Sequence, residues 1–183
     1  HEVCGYDCYS TYTSSNSYYQ FAYTNVNNAA SSKNYVNYSS ITRCVNSISY
    51  SYYTLGLNYG KICCPSVNIS MNRCQYYSGI FCQPLSDTIS VICSLSYSSI
   101  TDNNAFGYFC IGLVQNSKYE MKCCNFLRNT QNSTLYGLIQ TPGNWMIEDS
   151  CILENVATRI FNIWSSTTLT LSNCTVDKTT SNG

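Results

Sequence analysis

Charged residues are scarce in this chain. Asp, Glu, Lys and Arg make up 10% of its 183 residues, against roughly 25% in a typical soluble domain. The formal net charge is zero, so the concentrated positive charge of a nucleic-acid surface is missing and no nucleic-acid partner is predicted. Solubility must instead come from Ser, Thr, Asn and Tyr, or from attached sugar. The hydrophobic fraction of 44% permits a core and excludes a disordered chain.

Histidine is nearly absent, since His1 is the only one. A Ser-His-Asp triad cannot be built around a single terminal histidine, and a copper site at an N-terminal histidine needs a second one. The glycines are dispersed, so no phosphate-binding loop is present, and no Cys-x-x-Cys pair suggests zinc. The sequence therefore predicts no catalytic residues, no metal and no cofactor.

Long apolar runs are also missing, and no segment reaches the length of a membrane-spanning helix. Cysteine, by contrast, is abundant. The 13 cysteines amount to about 7% of the chain, near the level of disulfide-rich scaffolds. We therefore predict a secreted protein, extracellular or at the cell surface, in which the odd count leaves at least one thiol free or paired with another chain. The start at His1 rather than Met indicates a removed signal peptide or a fragment.

Four N-glycosylation sequons fit that location: Asn37-Tyr-Ser, Asn68-Ile-Ser, Asn132-Ser-Thr and Asn173-Cys-Thr. N-linked glycans are therefore predicted partners. The alternative is that the sequons arise by chance, because Asn, Ser and Thr are common throughout the chain. Asn173 also lies beside Cys174 in a strand-like pattern, where a glycan would have poor access.

A repeat of short strand-like segments begins near residue 39. Its clearest markers are apolar segments led by an aromatic residue, at steps of 28, 28, 27 and 25 residues: Tyr53–Leu57, Phe81–Leu85, Phe109–Leu113, Tyr136–Gln140 and Phe161–Ser165. Apolar and polar residues alternate, and no helical spacing is sustained. We therefore predict an all-β fold, a right-handed parallel β-helix (β-solenoid) with three faces and about 25–28 residues per coil.

A second marker is an apolar segment that leads to a cysteine. In three copies the spacing is the same: Ile69 to Cys74, Tyr119 to Cys124 and Leu169 to Cys174. We expect these segments to form equivalent strands. Ile41, three residues before Cys44, gives the first copy.

The chain is predicted to have two parts. Residues 1–36 lie outside the repeat and are expected to form an irregular, Cys- and Tyr-rich cap or first coil. Cys4 and Cys8 would pair locally or fasten this segment to the body. Residues 37–183 are expected to form the β-helix. Its last repeat stops after the first half, so the C-terminal end is predicted to be open or the chain truncated.

The segment Phe126-Leu-Arg-Asn129, with a weaker copy at Ile152-Leu-Glu-Asn155, resembles the Phe-x-x-Asn repeat of chlamydial polymorphic outer-membrane-type proteins and related β-helix surface proteins. The companion Gly-Gly-Ala-Ile motif of that family is absent. The resemblance covers residues 39–183 as a style of repeat, and the composition is also similar to β-helix surface families of anaerobic protists. It implies a surface-displayed β-helix that is adhesive or structural.

The cysteines are candidates for bridges between coils, because adjacent strands lie about 4.8 Å apart and disulfides need similar Cα separations. Cys82 and Cys110 are expected to share a register and to pair. The vicinal pairs Cys63-Cys64 and Cys123-Cys124 lie two coils apart, and each places one side chain outward, able to reach a loop. The alternative is a ladder of buried free thiols at Cys74, Cys93, Cys124, Cys151 and Cys174.

Parallel β-helices include enzymes similar to pectate lyases, whose sites need clustered carboxylates. Here the acidic residues are scattered and form no repeated column: Asp87, Asp102, Glu120, Glu148, Asp149, Glu154 and Asp177. Glu120 and Glu148 are expected on adjacent coils, pointing outward beside Lys122. We therefore predict no enzymatic activity. Exposed tyrosines, among them Tyr97, are expected to contribute to contacts with sugars or proteins.

The resulting hypothesis is a secreted or cell-surface structural or adhesive glycoprotein that assembles end to end or binds surfaces. Expected partners are further copies of the chain in a filament, or the rest of a longer parent chain, with host or matrix glycans as candidate ligands. The alternative is a polysaccharide-active or carbohydrate-binding β-helix.

Overall fold

The structure, a computed structural model, describes residues 4–8, 19–44, 51–114, 116–164 and 166–177. This part of the chain consists of β-strands joined by corners and loops. No helix occurs in it, and therefore none that is long and apolar enough to cross a membrane.

The strands are short. In chain order, the first eleven are β1 Cys4–Tyr6, β2 Tyr19–Asn25, β3 Lys33–Tyr35, β4 Ser39–Thr42, β5 Ser51–Asn58, β6 Lys61–Pro65, β7 Val67–Ser70, β8 Arg73–Cys74, β9 Tyr77–Gln83, β10 Val91–Ser96 and β11 Ser99–Thr101. The remaining eleven are β12 Asn104–Ala105, β13 Ile111–Leu113, β14 Lys118–Lys122, β15 Asn125–Leu127, β16 Thr130–Gln131, β17 Ile139–Thr141, β18 Trp145–Glu148, β19 Cys151–Leu153, β20 Phe161–Ile163, β21 Leu169–Ser172 and β22 Thr175–Val176.

These strands form four sheets in which every pairing is parallel. Sheet A has the order β1-β4-β7-β11-β15-β19-β22, sheet B has β2-β5-β9-β13-β17-β20, sheet C has β3-β6-β10-β14-β18-β21, and the short sheet D has β8-β12-β16. From β7 to β18 the chain visits sheets A, D, B and C in that order and then returns to sheet A. We call one such passage a repeat. The predicted all-β fold of repeated parallel strands is confirmed.

Apolar side chains from successive repeats stack into inward-facing columns. Residues at level positions in sheet A are Ile41, Ile69, Ile100, Phe126 and Ile152. Those in sheet C are Ile62, Cys93, Tyr119, Trp145 and Leu169. Those in sheet B are Leu55, Ile80, Ile111, Ile139 and Phe161. All except Leu169 are buried, so the core is the space between the three long sheets.

The predicted alignment on the leading aromatic residues is wrong in register. Tyr53 pairs with Tyr77, and Phe81 pairs with Gly112 rather than with Phe109. The cause is the connection into sheet B, which has two residues before β9, five before β13 and seven before β17. A connection that changes length moves the aromatic residue relative to the strand that follows it.

The predicted cysteine-led segments are partly correct. Tyr119 and Leu169 do occupy equivalent strands, both level with Trp145 in sheet C. Ile69, however, lies in sheet A, and Cys74 lies in sheet D. The prediction that Ile69 to Cys74 is another copy of the same segment is therefore wrong.

Residues 1–36, which the sequence predicts to form a separate cap or first coil, contribute strands to the same sheets. Its strands β1, β2 and β3 pair in parallel with β4, β5 and β6. They are the edge strands of sheets A, B and C at one end of the molecule.

Candidate functional site

Each repeat makes a sharp corner after its sheet A strand. The first corner residue has a left-handed φ of 50–58° at Asp7, Arg43, Met71, Asp102, Arg128 and Glu154. We call this column the charged corner. A left-handed φ is uncommon for residues other than glycine. Here it turns the chain so that the corner side chain projects outward and the next side chain enters the core.

The residues that follow the charged corner form a ladder of buried asparagines. It consists of Asn72, Asn103, Asn129 and Asn155. In the last three, the Oδ1 atom accepts hydrogen bonds from both the backbone N–H and the Nδ2 of the asparagine before it, at 2.9–3.2 Å. Each Nδ2 also donates to the carbonyl of the inward sheet A residue one repeat earlier, such as Ile69 for Asn103. The ladder explains why an asparagine recurs three residues after the apolar residue.

The asparagine ladder has cysteines at its N-terminal end. Cys44 holds the position level with Asn72, and its backbone N–H donates to Asn72 Oδ1 at 2.7 Å. The register of β1 on β4 puts Cys8 in the same column one repeat earlier. Burial raises the pKa of the Cys44 thiol to about 11.

Opposite charges alternate along the charged corner and form ion pairs. Arg43 Nε lies 2.8 Å from Asp7 Oδ1. Arg128 holds both carboxylate oxygens of Asp102, at 2.8 and 2.9 Å. These hydrogen bonds from Arg128 hold the pKa of Asp102 below its ordinary value. The expectation that the acidic residues form no column is therefore wrong for Asp102 and Glu154. Aligning the chain on the apolar-x-x-Asn motif would have revealed the column.

A groove of about 520 Å³ opens beside the charged corner. It is lined by Asp7, Arg43, Cys44, Met71, Arg73 and Asp102. Both of its carboxylates are paired with arginines, and the hydrogen bonds from Arg128 favour the ionised form of Asp102. The guanidinium of Arg73 makes no ion pair with the described residues, so it is the available cation of the groove.

Half-buried aromatic rings stack at the entry to sheet B. The ring centroids of Tyr76 and Tyr108 are 4.4 Å apart, and those of Tyr108 and Tyr136 are 4.6 Å apart. A side-chain hydrogen bond with Tyr136 raises the pKa of Tyr108. Beside this stack, the Tyr77 ring covers Gly112, where a Cβ atom would lie 2.0 Å from the ring. Of the tyrosines expected at the surface, Tyr97 is clearly exposed.

The last repeat covers its inward side chains incompletely. The residues are Leu169, Leu171 and Val176, which are half-buried. The level residues one repeat earlier are Trp145, Ile147 and Ile152, which are buried. Among the described residues, β20, β21 and β22 each pair on one side only.

The structure places no disulfide between the described cysteines. Cys82 is level with Leu113, while the Cys110 carbonyl accepts a hydrogen bond from the Gly79 N–H, so the predicted common register of Cys82 and Cys110 is wrong. In each vicinal pair one thiol is buried and the other half-exposed: Cys64 with Cys63, and Cys124 with Cys123. Cys4 is exposed and opposite Ser40. Apart from that register, the disulfide candidates stay predictions.

The other predicted residues lie on the outer surface. Asn68, Asn132 and Asn173 are exposed and Asn37 is half-exposed. Asn173 is therefore not occluded, although its Nδ2 donates to Asp149 Oδ1 at 2.7 Å.

Glu120 and Glu148 lie on the adjacent strands β14 and β18, as expected, two positions apart in register. Glu120 faces Met146, and Glu148 faces Lys122. The Lys122 Nζ atom lies 2.9 Å from Glu148 Oε2, as expected for an outward ion pair.

The described ranges contain no group of three His, Cys, Asp or Glu side chains that could hold a metal ion. Comparison with known proteins found no matching family model, no similar curated protein and no similar solved structure.

Proposed function

We propose that the chain is a structural or adhesive protein, secreted or displayed at a cell surface, that assembles end to end. Each repeat is one coil of a right-handed parallel β-helix. The parallel pairing of every strand, the fixed order of the sheets and the continuous asparagine ladder support this architecture. The 13 cysteines and the exposure of three of the four sequon asparagines support an extracellular glycoprotein.

The incompletely covered last repeat is the observation that carries the assembly proposal. Its inward side chains Leu169, Leu171 and Val176 are half-buried, and its strands have unpaired edges within the described part of the chain. The other end has edge strands too, at β1, β2 and β3. Unpaired strand edges favour pairing with another chain. Contact between two unlike ends is heterologous, and a chain of such contacts builds a filament.

The test compares two lysine substitutions on β21. Leu171→Lys places a charge on the inward side of the edge strand, while Thr170→Lys places the same charge on the exposed outer side of that strand. Light scattering and negative-stain electron microscopy over a concentration series should show growing particles for the wild type and for Thr170→Lys, and monomers for Leu171→Lys. Thermal unfolding of each variant verifies that the fold persists, and Val176→Lys replaces Leu171→Lys if it does not. A wild type that stays monomeric throughout would overturn the proposal, as would equal assembly of the folded inward variant.

A further inference from the structure

Cys8 and Cys44 are consecutive members of the column that continues as the asparagine ladder. The register of β1 on β4 pairs Gly5 with Ile41 and Tyr6 with Thr42. It continues beyond the strands, because the Asp7 N–H donates to the Thr42 carbonyl at 3.1 Å and Asp7 is ion-paired with Arg43. The next residues, Cys8 and Cys44, are therefore level with each other in adjacent repeats.

The two side chains have the same orientation. The Cys8 Sγ donates to the carbonyl of Tyr6 at 3.5 Å, and the Cys44 Sγ donates to the carbonyl of Thr42 at 3.3 Å. In both cases the acceptor lies two residues earlier, so the sulfur atoms point the same way from neighbouring strands. Level residues of adjacent strands are about 4.8 Å apart, which falls within the Cα separation of roughly 4.4–6.8 Å that a disulfide requires.

Other cysteines lack such a level neighbour. Cys124 and Cys174 share a column at the other corner, but Ser150 lies between them. Cys4 faces Ser40, and Cys82 faces Leu113. Of the thiols placed here, Cys8 and Cys44 have the geometry of a bridge between adjacent repeats.

We infer that Cys8 and Cys44 form a disulfide that closes the N-terminal end of the asparagine ladder. Later repeats are linked by the amide hydrogen bonds of the ladder, whereas the disulfide would link the first two repeats covalently. The bond would also fix one wall of the groove, which Cys44 lines together with Asp7 and Arg43. This inference rests on the proposed secretion of the chain and does not depend on end-to-end assembly.

The bond forms by exchange with a disulfide of the secretory compartment, either a protein disulfide or glutathione disulfide. Cys8 is half-exposed and Cys44 is buried, so the Cys8 thiolate attacks first and releases one thiolate from the oxidant. The Cys44 thiolate then attacks Cys8 Sγ and releases the second. Two protein thiols are oxidised, one external disulfide is reduced, and the two protons end on the released thiols.

Peptide mapping of the full chain tests the bond directly. The protein is produced in an oxidising secretory host, quenched in acid, alkylated and digested with trypsin without reduction. Cleavage after Lys33, Arg43 and Lys61 leaves Cys44 in a peptide of residues 44–61 that contains no other cysteine. We expect this peptide to be linked to residues 1–33, which contain Cys4 and Cys8. The link should survive in Cys4→Ser and disappear in Cys8→Ser.

A second measurement compares thermal unfolding with and without a reductant. Reduction should lower the unfolding midpoint of the wild type and of Cys4→Ser. The Cys8→Ser variant should unfold near the midpoint of the reduced wild type even without reductant. Adding reductant should then cause no further drop from the loss of this bond. Alkylated Cys44 in most of the folded wild type would overturn the inference. A link from Cys44 to another cysteine, or one that persists in Cys8→Ser, would overturn it as well. Cys8→Ser is a better test variant than a substitution of Cys44, because Cys8 is half-buried and Cys44 is buried.

Discussion

Asn103 forms hydrogen bonds in the core with the asparagines of the repeats before and after it. Its Oδ1 accepts from the backbone N–H and the Nδ2 of Asn72, and its own N–H and Nδ2 donate to Asn129 Oδ1. A second hydrogen bond from Nδ2 reaches the carbonyl of Ile69. One short amide therefore satisfies two buried backbone groups of the preceding repeat, the Asn72 N–H and the Ile69 carbonyl, and also donates to the Asn129 side chain of the following repeat.

Replacing Asn103 with alanine should destabilise the protein strongly. The change removes the acceptor of two buried Asn72 donors and the donor to Ile69. Unsatisfied buried groups cost about 1–3 kcal/mol each, so we expect the free energy of unfolding to fall by about 3 kcal/mol. Urea denaturation measures this loss.

The matched control is Asn104→Ala. Asn104 is the next residue, and its Oδ1 atom is buried without a hydrogen-bond partner in the structure. Its removal should change the free energy of unfolding by less than about 1 kcal/mol. Equal losses for the two variants would contradict the role of the asparagine ladder.

The aromatic stack at the entry to sheet B joins elements that the sequence does not place together. Tyr76, Tyr108 and Tyr136 precede β9, β13 and β17, so each ring comes from a different repeat. The centroid distances of 4.4 and 4.6 Å are close to the spacing of about 4.8 Å between strands. The stack therefore aligns three connections of unequal length on one column.

Removal of the central ring should weaken all three connections. Tyr108→Ala breaks both stacking contacts, each worth about 0.5–1.5 kcal/mol beyond the buried area, so we expect a loss of about 2 kcal/mol. Near-ultraviolet circular dichroism and urea denaturation should both report it. Tyr108→Phe keeps the ring and should lose less than about 1 kcal/mol. If the phenylalanine variant were as unstable as the alanine variant, the hydroxyl rather than the stack would carry the stabilisation.

The elements that were predictable from sequence are those with fixed internal spacing. The corner from Phe126 to Asn129 recurs because the left-handed residue and the inward asparagine must follow the sheet A strand at once. Tyr119 and Leu169 were aligned correctly because the segment between each and its corner has constant length. Both signals are local.

Elements that follow connections of variable length cannot be aligned correctly from the sequence alone. Phe81 and Phe109 look equivalent in sequence, but the two connections differ by three residues and the register follows the strands. The charged corner was missed for a related reason, since its spacing varies and one member is Met71. The pairing of Cys8 with Cys44 needs the register of β1 on β4, which no sequence motif provides.

The molecule as a whole is a linear series in which each strand pairs with strands of adjacent repeats. In such arrays, stability is approximately the sum of the repeats and of the contacts between neighbours. A central repeat has two neighbours and a terminal repeat has one. Local opening should therefore cost least in a terminal repeat such as the last one, whose strands pair on one side only among the described residues.

Amide hydrogen exchange should show this gradient along the chain. In the monomer, we expect peptides covering β21 and β22 to exchange faster than those covering β14 and β15, because Leu169, Leu171 and Val176 are incompletely covered. Mass spectrometry after timed deuterium labelling measures the difference. Uniform protection from β14 to β22 would contradict a linear series whose terminal strands β21 and β22 are less covered than its central strands. The same labelling can be repeated at the concentrations at which particles form. If a second copy buries the last repeat, exchange must slow in β21 and stay unchanged in β14. This comparison connects the gradient to assembly.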